Sequence, residues 1–389
     1  MTLTHLAYLW HTANYEEDEE IDDEKARRSY AFMYGGASRN GMKIAVGLSG
    51  GVDSSVAALL LKEQGHEVVG VTMKLWSGAY RGGTRDACYG PGEAEDIDRA
   101  RGLAEALGIA YRVFDCSAAY ERAIVGYFRE TTLGGRTPNP CVMCNAAMKF
   151  GLLPQLAREA GVVFDRFATG HYARIVETGG RFAVRRAADK KKDQSYFLYR
   201  LSQEQLAGVL FPLGELTKGE VRQIAAAHGL AAADKADSLD FYSGEKDELI
   251  GAPPKAGEIV DLAGRVLGRH AGYWNFTVGQ RKGLGAFGPD PLYVVRLDAC
   301  RNRVVVGRRA EAFVKAFTVA DLHWMAQAPT EAPFSALVKV RSTGDPLGPV
   351  VFEKGTCRVE GEGLFGVAPG QSAVFYDETG TIRCGGVIV

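Results

Sequence analysis

The stretch that decides the fold is Gly47-Leu48-Ser49-Gly50-Gly51-Val52-Asp53-Ser54-Ser55. An apolar, strand-like run that begins at Lys43 precedes it, and a helical pattern from Ser55 to Gln64 follows it. Glycines let several backbone N–H groups converge on one anion, and the helix N-terminus adds a partial positive charge. A Walker A loop is excluded because no Gly-Lys-Ser/Thr follows at the required spacing. The stretch therefore predicts a phosphate-binding loop of another kind; the alternative is a plain glycine-rich turn with an aspartate cap.

Strand and helix patterns continue to alternate on the C-terminal side of this loop. Apolar, strand-like runs cover Glu67 to Met73 and Ala110 to Phe114, and a helical pattern covers Ala94 to Leu107. Gly65 and Gly108 stand where helices are expected to end, each just before the next strand. Strand–helix–strand repeats with right-handed crossovers build a parallel sheet. We therefore predict an α/β fold whose first domain is a doubly wound, Rossmann-like parallel sheet.

The periodicity changes twice further along the chain. It is helical from Ser202 to about Gly251, which predicts a small helical connector. It shifts to two beyond Gly257, as in Arg303 to Gly307 and Ser372 to Tyr376, which predicts a C-terminal all-β, barrel-like domain. The expected domains are a nucleotide-binding catalytic domain at 42–203, a central connector at 204–283 and a β-barrel at 290–389.

Residues 1–41 differ from the rest of the chain. The segment from Glu16 to Glu24 is almost unbroken acid, and no apolar periodicity accompanies it. We expect a disordered acidic extension. A mis-called start, with Met42 as the true first residue, is a second hypothesis.

Composition excludes several classes of protein. The 389 residues carry a formal net charge of -1, which argues against a globally basic nucleic-acid binder but leaves room for a local basic groove. No apolar run approaches the roughly 18 residues of a membrane helix, and the N-terminus has no signal-peptide pattern. Seven cysteines, an odd number, fit reduced thiols. We expect a cytoplasmic protein with no membrane partner.

A second motif carries paired thiols. It reads Thr137-Pro138-Asn139-Pro140-Cys141-Val142-Met143-Cys144-Asn145, in which two prolines favour an extended loop that leads into a helix. A thiol at a helix N-terminus can have a lowered pKa and become a nucleophile, so the pair predicts sulfur chemistry. The alternatives are a structural zinc site, for which we find no second ligand pair, and inert buried thiols.

Four motifs, in this order and at this spacing, resemble those of the tRNA-specific 2-thiouridylases, the MnmA/TrmU family. The first is the Ser-Gly-Gly-x-Asp-Ser loop at 49–54, which is similar to the PP-loop of ATP pyrophosphatases. The others are the Pro-Asn-Pro loop with its cysteines, Ala168-Thr169-Gly170-His171-Tyr172, and Lys192-Asp193-Gln194-Ser195-Tyr196-Phe197-Leu198. The resemblance covers Met42 to Val389.

The resemblance implies an ATP-dependent tRNA-uridine 2-sulfurtransferase that uses Mg²⁺. Such an enzyme adenylates the 2-carbonyl oxygen of the wobble uridine and then replaces that oxygen with persulfide sulfur, which gives 2-thiouridine, AMP and pyrophosphate. The implied partners are a tRNA with a modifiable wobble uridine and a sulfur donor, either a cysteine desulfurase, a relay protein or sulfide.

The resemblance also implies a role for each matching residue. ATP would be bound by Gly47, Leu48, Ser49, Gly50, Gly51, Val52, Asp53, Ser54, Met73 and Gly170, with Asp53 also helping to bind Mg²⁺. The flipped target uridine would lie against Asn139, Pro140, Cys141, His171 and Gln371. The tRNA would contact Lys192, Asp193, Gln194, Arg341 and Ser342. Cys144 would be the nucleophile.

Two of these assignments have plain alternatives. The short basic run that includes Arg185, Arg186, Lys190 and Lys191 suits phosphates, but short charge runs also occur as solvated faces. A histidine such as His171 is otherwise a common core residue, so its motif carries the assignment.

The sequence departs from the family pattern at two positions. Tyr242 stands where many relatives have a second catalytic cysteine, and it cannot carry a persulfide. Cys141 stands where some relatives have aspartate. One hypothesis is that Cys141 resolves the persulfide on Cys144; the other is that Cys88, Cys141 and Cys144 ligate a 4Fe-4S cluster whose open iron holds sulfide.

Two rival functions remain. Another adenylating enzyme with a PP-loop, such as a lysidine synthetase, would need neither the cysteine pair nor the Gly-His-Tyr motif. A tRNA-binding protein that has lost sulfur transfer would explain Tyr242.

Overall fold

A computed structural model describes residues 41–389 except 82, 84–86, 231–240, 243, 286, 288–289 and 360–362. The expected acidic extension lies outside the described residues, apart from Gly41. So does most of the segment just before Tyr242.

The loop from Gly47 onward follows the central strand of a parallel sheet, as predicted. The strands of the N-terminal half are β1 (Lys43–Gly47), β2 (Glu67–Lys74), β3 (Ala110–Asp115), β4 (Arg166–Thr169), β5 (Ala173–Thr178), β6 (Arg181–Arg186) and β7 (Val209–Leu210). Five of them form a sheet in the order β3-β2-β1-β4-β7, with every pair parallel. Strands β5 and β6 form a separate antiparallel hairpin, which the sequence reading missed.

Helices cover both faces of this sheet. The α-helices of the chain are α1 (Val52–Glu63), α2 (Glu93–Leu107), α3 (Ser117–Tyr120), α4 (Gly126–Leu133), α5 (Pro140–Met143), α6 (Leu153–Glu159), α7 (Gln203–Gly208), α8 (Lys218–Ala227) and α9 (Lys246–Ile250). Segments Glu121–Val125 and Cys144–Leu152 are π-helical, and Ser195–Leu198, Tyr273–Asn275 and Arg309–Ala312 are 3-10 turns.

Residues on β1 show why the sheet is buried on both sides. Ile44 and Val46 pack into one apolar cluster with α1, and Ala45, which points the other way, packs into a second cluster with Phe167. All three β1 residues are fully buried, which is typical of a parallel strand between two helical layers. The predicted doubly wound fold is confirmed.

The strand order places a topological switch point at the centre of the sheet. The chain moves from β1 outward to β2 and β3, then returns to the other side of β1 with β4. Ligands of open α/β sheets bind outside the carboxyl ends of the strands at such a point. The loops that begin after Gly47 and Thr169 therefore border the expected binding crevice.

The middle of the chain differs from the expected boundaries. Strand β7 belongs to the parallel sheet, and α8 packs against α1 through Val221 and Ala225, so residues 204–230 complete the nucleotide-binding region. After α9, strands β8 (Gly257–Val260), β9 (Val266–His270), β10 (Tyr293–Asp298) and β11 (Arg303–Gly307) form one sheet in the order β10-β11-β8-β9. Strands β10 and β11, from the range expected for the barrel, thus share a sheet with β8 and β9, from the range expected for the connector.

The C-terminal region is a closed barrel, as expected. The strands of this region are β12 (Phe313–Val314), β13 (Ala316–Trp324), β14 (Phe334–Lys339), β15 (Leu347–Glu353), β16 (Thr356–Val359), β17 (Leu364–Phe365), β18 (Ser372–Tyr376) and β19 (Ile382–Ile388). Six of these close in the order β13-β16-β15-β14-β18-β19, and β12 pairs with β17.

One face of the barrel is buried against the nucleotide-binding region. Val374, Tyr376 and Ile382 belong to the same apolar cluster as Tyr196 and Tyr199. Among the residues described, no helix combines the length and the hydropathy of a membrane span.

Candidate active site

The phosphate loop is held by two hydrogen bonds to the neighbouring strand β2. The Leu48 N–H donates to the Val71 carbonyl at 2.9 Å, and the Thr72 hydroxyl donates to the Leu48 carbonyl at 2.7 Å. Helix α1 starts after Gly51, which has no side chain to cap the first amides. These N–H groups, together with the helix dipole, form an anion-binding terminus.

Two glycines are required here by close packing. Gly50 has φ +67°, and a Cβ at this residue would lie 2.3 Å from the Asp96 carbonyl oxygen. A Cβ on Gly170 would lie 2.6 Å from both the Asp53 carbonyl carbon and the Ser54 nitrogen. The structure thus brings the segment after β4 directly against the phosphate loop, where its predicted contact with ATP requires it.

Asp53 is the most constrained side chain of the loop. The Tyr172 hydroxyl donates to its Oδ1 at 2.8 Å, and the Lys218 Nζ lies 2.7 Å from Oδ1 and 2.8 Å from Oδ2. Lys218 is buried and is the first residue of α8. Sequence reasoning missed Lys218; the available signal was the capping pair Thr217 and Glu220, which marks a helix start just after a short strand.

Met73 lies near the carboxyl end of β2 and is partly buried. That end of the strand is next to β1 and its loop, so the position agrees with the predicted border of the adenine site. The contact itself remains a prediction.

The loop of the cysteine motif is fixed by the barrel. Asn139 caps α5, and its side-chain amide nitrogen lies 3.4 Å from the Gln371 Oε1. Gln371 in turn donates from Nε2 to the Pro138 carbonyl at 3.0 Å. Asn139 and Gln371, two residues of the predicted target-base set that lie 232 positions apart, therefore meet. Their role in base binding stays a prediction.

The expected lowering of the thiol pKa at Cys144 is wrong. Burial raises the pKa of Cys144 to about 11, although the charge of Lys149 lowers it, while Cys88 raises it further. The physical reason is that Cys144 follows a helix of only four residues and opens the π-helical segment, away from the helix N-terminus. Desolvation therefore exceeds the helix effect.

His171 is buried beside Thr169 and Phe150. Its Nδ1 lies 2.8 Å from the Thr169 hydroxyl, and its ring packs 5.5 Å from that of Phe150. Burial, followed by the charge of Lys149, holds the pKa of His171 well below its usual range, so the ring is neutral. Because Lys149 acts on both His171 and Cys144, it links the segment beside the phosphate loop to the nucleophile.

Three thiols affect the pKa of one buried tyrosine, Tyr120. The pKa of Tyr120 is well above its usual range because of burial and then the charges of Cys144, Cys88 and Cys141. Cys88 is exposed, and its neighbour Tyr89 donates its N–H to the Phe241 carbonyl at 2.9 Å.

The same region contains the residue that replaces the second family cysteine. Tyr242 is buried, and its hydroxyl donates to Glu248 at 2.5 Å. In the described part of the chain, no group of three or more His, Cys, Asp or Glu side chains is arranged to hold a metal ion. Cys88, Cys141 and Cys144 therefore do not form a ready ligand set for a cluster.

The predicted tRNA residues of the first domain are one buried and two half-buried side chains. The carboxylate of Asp193 is buried and pairs with Arg186 at 3.1 Å and with Lys339 of the barrel at 3.7 Å. Gln194 accepts the Tyr172 N–H at 2.9 Å, so its amide is also used internally. Lys192, like Gln194, is half-buried.

The barrel brings its own predicted tRNA residues to the same place. Arg341 and Ser342 follow β14, and Arg341 is exposed. Asp345, in the same loop, pairs with Arg186 at 2.7 Å. The loop at 341–345 thus adjoins the segment that contains Lys192.

Comparisons with known proteins match nearly all of the described chain. Three family domains match in succession, namely the tRNA methyl transferase HUP domain at residues 42–242, the tRNA methyl transferase PRC-barrel domain at 250–308 and the aminomethyltransferase beta-barrel domain at 314–389. The tRNA-specific 2-thiouridylase MnmA of Endomicrobium trichonymphae is 44% identical over 358 residues, which is 90% of this chain and 99% of the relative.

Relatives from other bacteria are equally similar. The proteins of that same name from Trichormus variabilis and Geobacter metallireducens are 45% and 44% identical. Each match spans 86% of this chain, and covers 95% and 93% of the respective relative.

Proposed function

We propose, from the premise that this chain belongs to the tRNA-specific 2-thiouridylase family, that it is an ATP-dependent tRNA-uridine 2-sulfurtransferase. The observation that carries the proposal is the close packing of Gly170 against Asp53 and Ser54 of the phosphate loop, next to His171. An adenylating site and a sulfur-bearing residue must meet at one nucleoside, and the charge of Lys149, which lowers the pKa of both His171 and Cys144, supports their proximity. A tRNA substrate agrees with the cytoplasmic location expected from the sequence.

The nucleotide half of the reaction uses the loop amides, Ser49 and Ser54 to bind the pyrophosphate part of ATP. The 2-carbonyl oxygen of the uridine attacks the α-phosphorus, pyrophosphate leaves, and the uridine becomes O-adenylated. The carboxylate of Asp53 is the donor type that Mg²⁺ prefers together with phosphate oxygens. When bound, Mg²⁺ neutralises the charge that develops on the leaving pyrophosphate.

The sulfur half of the reaction uses the paired thiols. A donor persulfide transfers its outer sulfur to Cys144, and that sulfur attacks C2 of the adenylated uridine and expels AMP. The Cys141 thiolate then attacks the Cys144 sulfur, which forms a Cys141–Cys144 disulfide and leaves the outer sulfur on the base as 2-thiouridine. A dithiol reductant restores both thiols.

Cys141 is a suitable resolving residue because it lies three positions before Cys144. The charges of Cys141 and Cys144 both raise the pKa of Tyr120, which supports the proximity of the two thiols. This route needs no cysteine at Tyr242.

The second candidate for sulfur handling is a 4Fe-4S cluster on Cys88, Cys141 and Cys144. The electrostatic influence of Cys88 on Cys144 favours it. The three residues as they stand do not fit the cluster, because they are not grouped as metal ligands. Anaerobic purification with iron and sulfide assays decides between the two: full activity without iron removes the cluster, and iron with acid-labile sulfide in proportion to activity removes the disulfide route.

The proposed tRNA surface combines the segment at 190–192 with the loop at 341–342. Lys190, Lys191 and Arg341 are exposed, so they are able to reach phosphates from two domains. The buried carboxylate of Asp193 supports this surface by joining Arg186 to Lys339. We therefore assign Asp193 a positioning role and Lys192 the direct contact.

The test is the thiolation of tRNA in a strain that lacks the gene. Thiolated tRNA is retarded in gels that contain a mercury compound, so loss in the deletion strain and recovery with the wild-type gene support the proposal. The Cys144→Ser gene should fail to restore the retarded band. Unchanged thiolation in the deletion strain would leave the tRNA-binding homologue or another adenylating enzyme as the better description.

A further inference from the structure

Lys218 is a buried cation that the reaction above does not use. Its ammonium contacts both carboxylate oxygens of Asp53, at 2.7 and 2.8 Å, and lies 5.8 Å from the centre of the Tyr172 ring. Lysine is almost never buried unless it is paired. The contact with Asp53 therefore accounts for where Lys218 lies in this structure.

The helix that carries Lys218 does not itself favour a cation at this position. Lys218 is the first residue of α8, where the helix dipole favours negative charge. Its backbone is fixed independently, because Thr217 and Glu220 cap the helix and the Lys218 N–H donates to Asp189 at 3.1 Å. Lysine has a long, flexible side chain, so its ammonium can exchange one partner for another without a shift of this backbone.

The surroundings of Lys218 suit a polyphosphate. The N-terminus of α1 begins one residue before Asp53 and presents uncapped amides to the same space. A lysine ammonium next to such a helix terminus is a common way to bind phosphate. The position occupied by Lys218 also blocks both oxygens of Asp53 from a metal ion.

On the basis of the proposed use of ATP, we propose that Lys218 alternates between two partners and so orders ligand binding. Without nucleotide it neutralises Asp53; with ATP bound it contacts the phosphates and releases the Asp53 carboxylate to Mg²⁺. Lys218 is then a phosphate-binding residue, and a divalent cation binds well only together with the nucleotide.

The test measures nucleotide and metal binding separately in the whole protein. The probes are α,β-methylene-ATP with Mg²⁺, followed by calorimetry, and Mn²⁺ alone, followed by electron paramagnetic resonance. Lys218→Met should weaken binding of the analogue about 10- to 100-fold, since a charged hydrogen bond is lost. The same variant should bind Mn²⁺ alone more tightly than wild type, because Lys218 no longer neutralises Asp53. Lys218→Arg should keep more nucleotide affinity than Lys218→Met.

Opposite changes in the two affinities distinguish the proposal from a purely structural ion pair. The double variant Lys218→Met with Asp53→Asn should lose the gain in Mn²⁺ binding. Arg174→Met, which removes a half-buried ion pair with Glu215 at 3.3 Å, is the matched control and should change neither affinity. Unchanged nucleotide binding in Lys218→Met, or loss of both affinities together with the melting temperature, would overturn this inference alone. Failure of the wild-type protein to bind the analogue would overturn the proposed function as well.

Discussion

The phosphate loop and the cysteine loop are built in different ways. The phosphate loop is local: the four residues Leu48–Gly51 join β1 to α1, and close packing at Gly50 fixes its backbone. The cysteine loop depends on distant contacts, since Asn139 is held partly by Gln371 of the barrel.

This difference separates nucleotide binding, which we assign to the phosphate loop, from sulfur transfer, which we assign to the cysteine loop. A local loop can hold phosphates before any RNA arrives, whereas the cysteine loop takes part of its hydrogen bonding from the barrel. The high pKa of Cys144 adds to the contrast, because the nucleophile is protonated in the free protein.

The largest effect is expected from Gly50→Ala in the phosphate loop. The new Cβ would meet the Asp96 carbonyl at 2.3 Å in a backbone with φ +67°, so α2 or the loop must move. We expect destabilisation of about 3 kcal/mol or more and loss of nucleotide binding. Chemical denaturation and calorimetry measure both.

Gly65→Ala is the matched control for that substitution. Gly65 has φ +84° but nothing within 4 Å of an added Cβ, so only backbone strain of about 1 kcal/mol is expected. Equal destabilisation by both variants would contradict the role of close packing at Gly50.

A smaller effect is expected from Gln371→Ala in the cysteine loop. The substitution removes the bond to the Pro138 carbonyl and the contacts with Asn139 and Tyr196. Two or three lost bonds correspond to about 1–3 kcal/mol, so thiolation should fall roughly tenfold or more. Affinity for ATP should be unchanged; a parallel loss of nucleotide binding would mean that the loops are not separable in this way.

A chemical probe should report the raised pKa of Cys144. Alkylation by iodoacetamide requires the thiolate, so the rate at Cys144 should keep rising with pH up to about 11. Lys149→Met removes a charge that lowers this pKa, so the rate at a fixed pH near 8 should decrease severalfold. Peptide mass spectrometry gives the rate at each cysteine, and Lys149→Arg is the control that keeps the charge. A plateau near pH 8 in the wild type would contradict the burial of the thiol.

The smallest effect concerns stability and His171. Its pKa in the folded protein lies below its unfolded value, so the unfolded chain binds more protons as the pH falls through about 6.5. The neutral ring therefore contributes stability above that pH, and this contribution is lost below it. We expect the difference in unfolding free energy between wild type and His171→Gln to shrink by roughly 1 kcal/mol per pH unit between pH 6.5 and 5.5. A difference that stays constant with pH would argue against a buried neutral histidine.

The sequence was most informative where structure is local. The helix predicted at Ala94 to Leu107 is found at Glu93–Leu107, and the strand predicted at Ser372 to Tyr376 has those bounds. In these segments the hydrophobic periodicity and the flanking glycines depend on a single helix or strand, so neighbouring residues are enough to predict its bounds. The same logic predicted the phosphate loop.

Features set by tertiary contacts were not predictable in this way. Lys218 reaches Asp53 from a helix 165 positions away, and no local pattern marks that distance. Helix position suggested a low pKa for Cys144, but burial by other segments decided it. The pairing of β11 with β8 also depends on the folded chain rather than on the spacing between strands.

The most direct test of the proposed two-step reaction, adenylation followed by sulfur transfer from Cys144, is a single turnover of the Cys144→Ser variant with tRNA and ATP labelled at the α-phosphate. Without the nucleophile, adenylation should proceed and sulfur should not enter. We predict that label accumulates on acid-precipitable tRNA, that pyrophosphate is released and that no 2-thiouridine forms. Formation of 2-thiouridine by this variant would contradict the account.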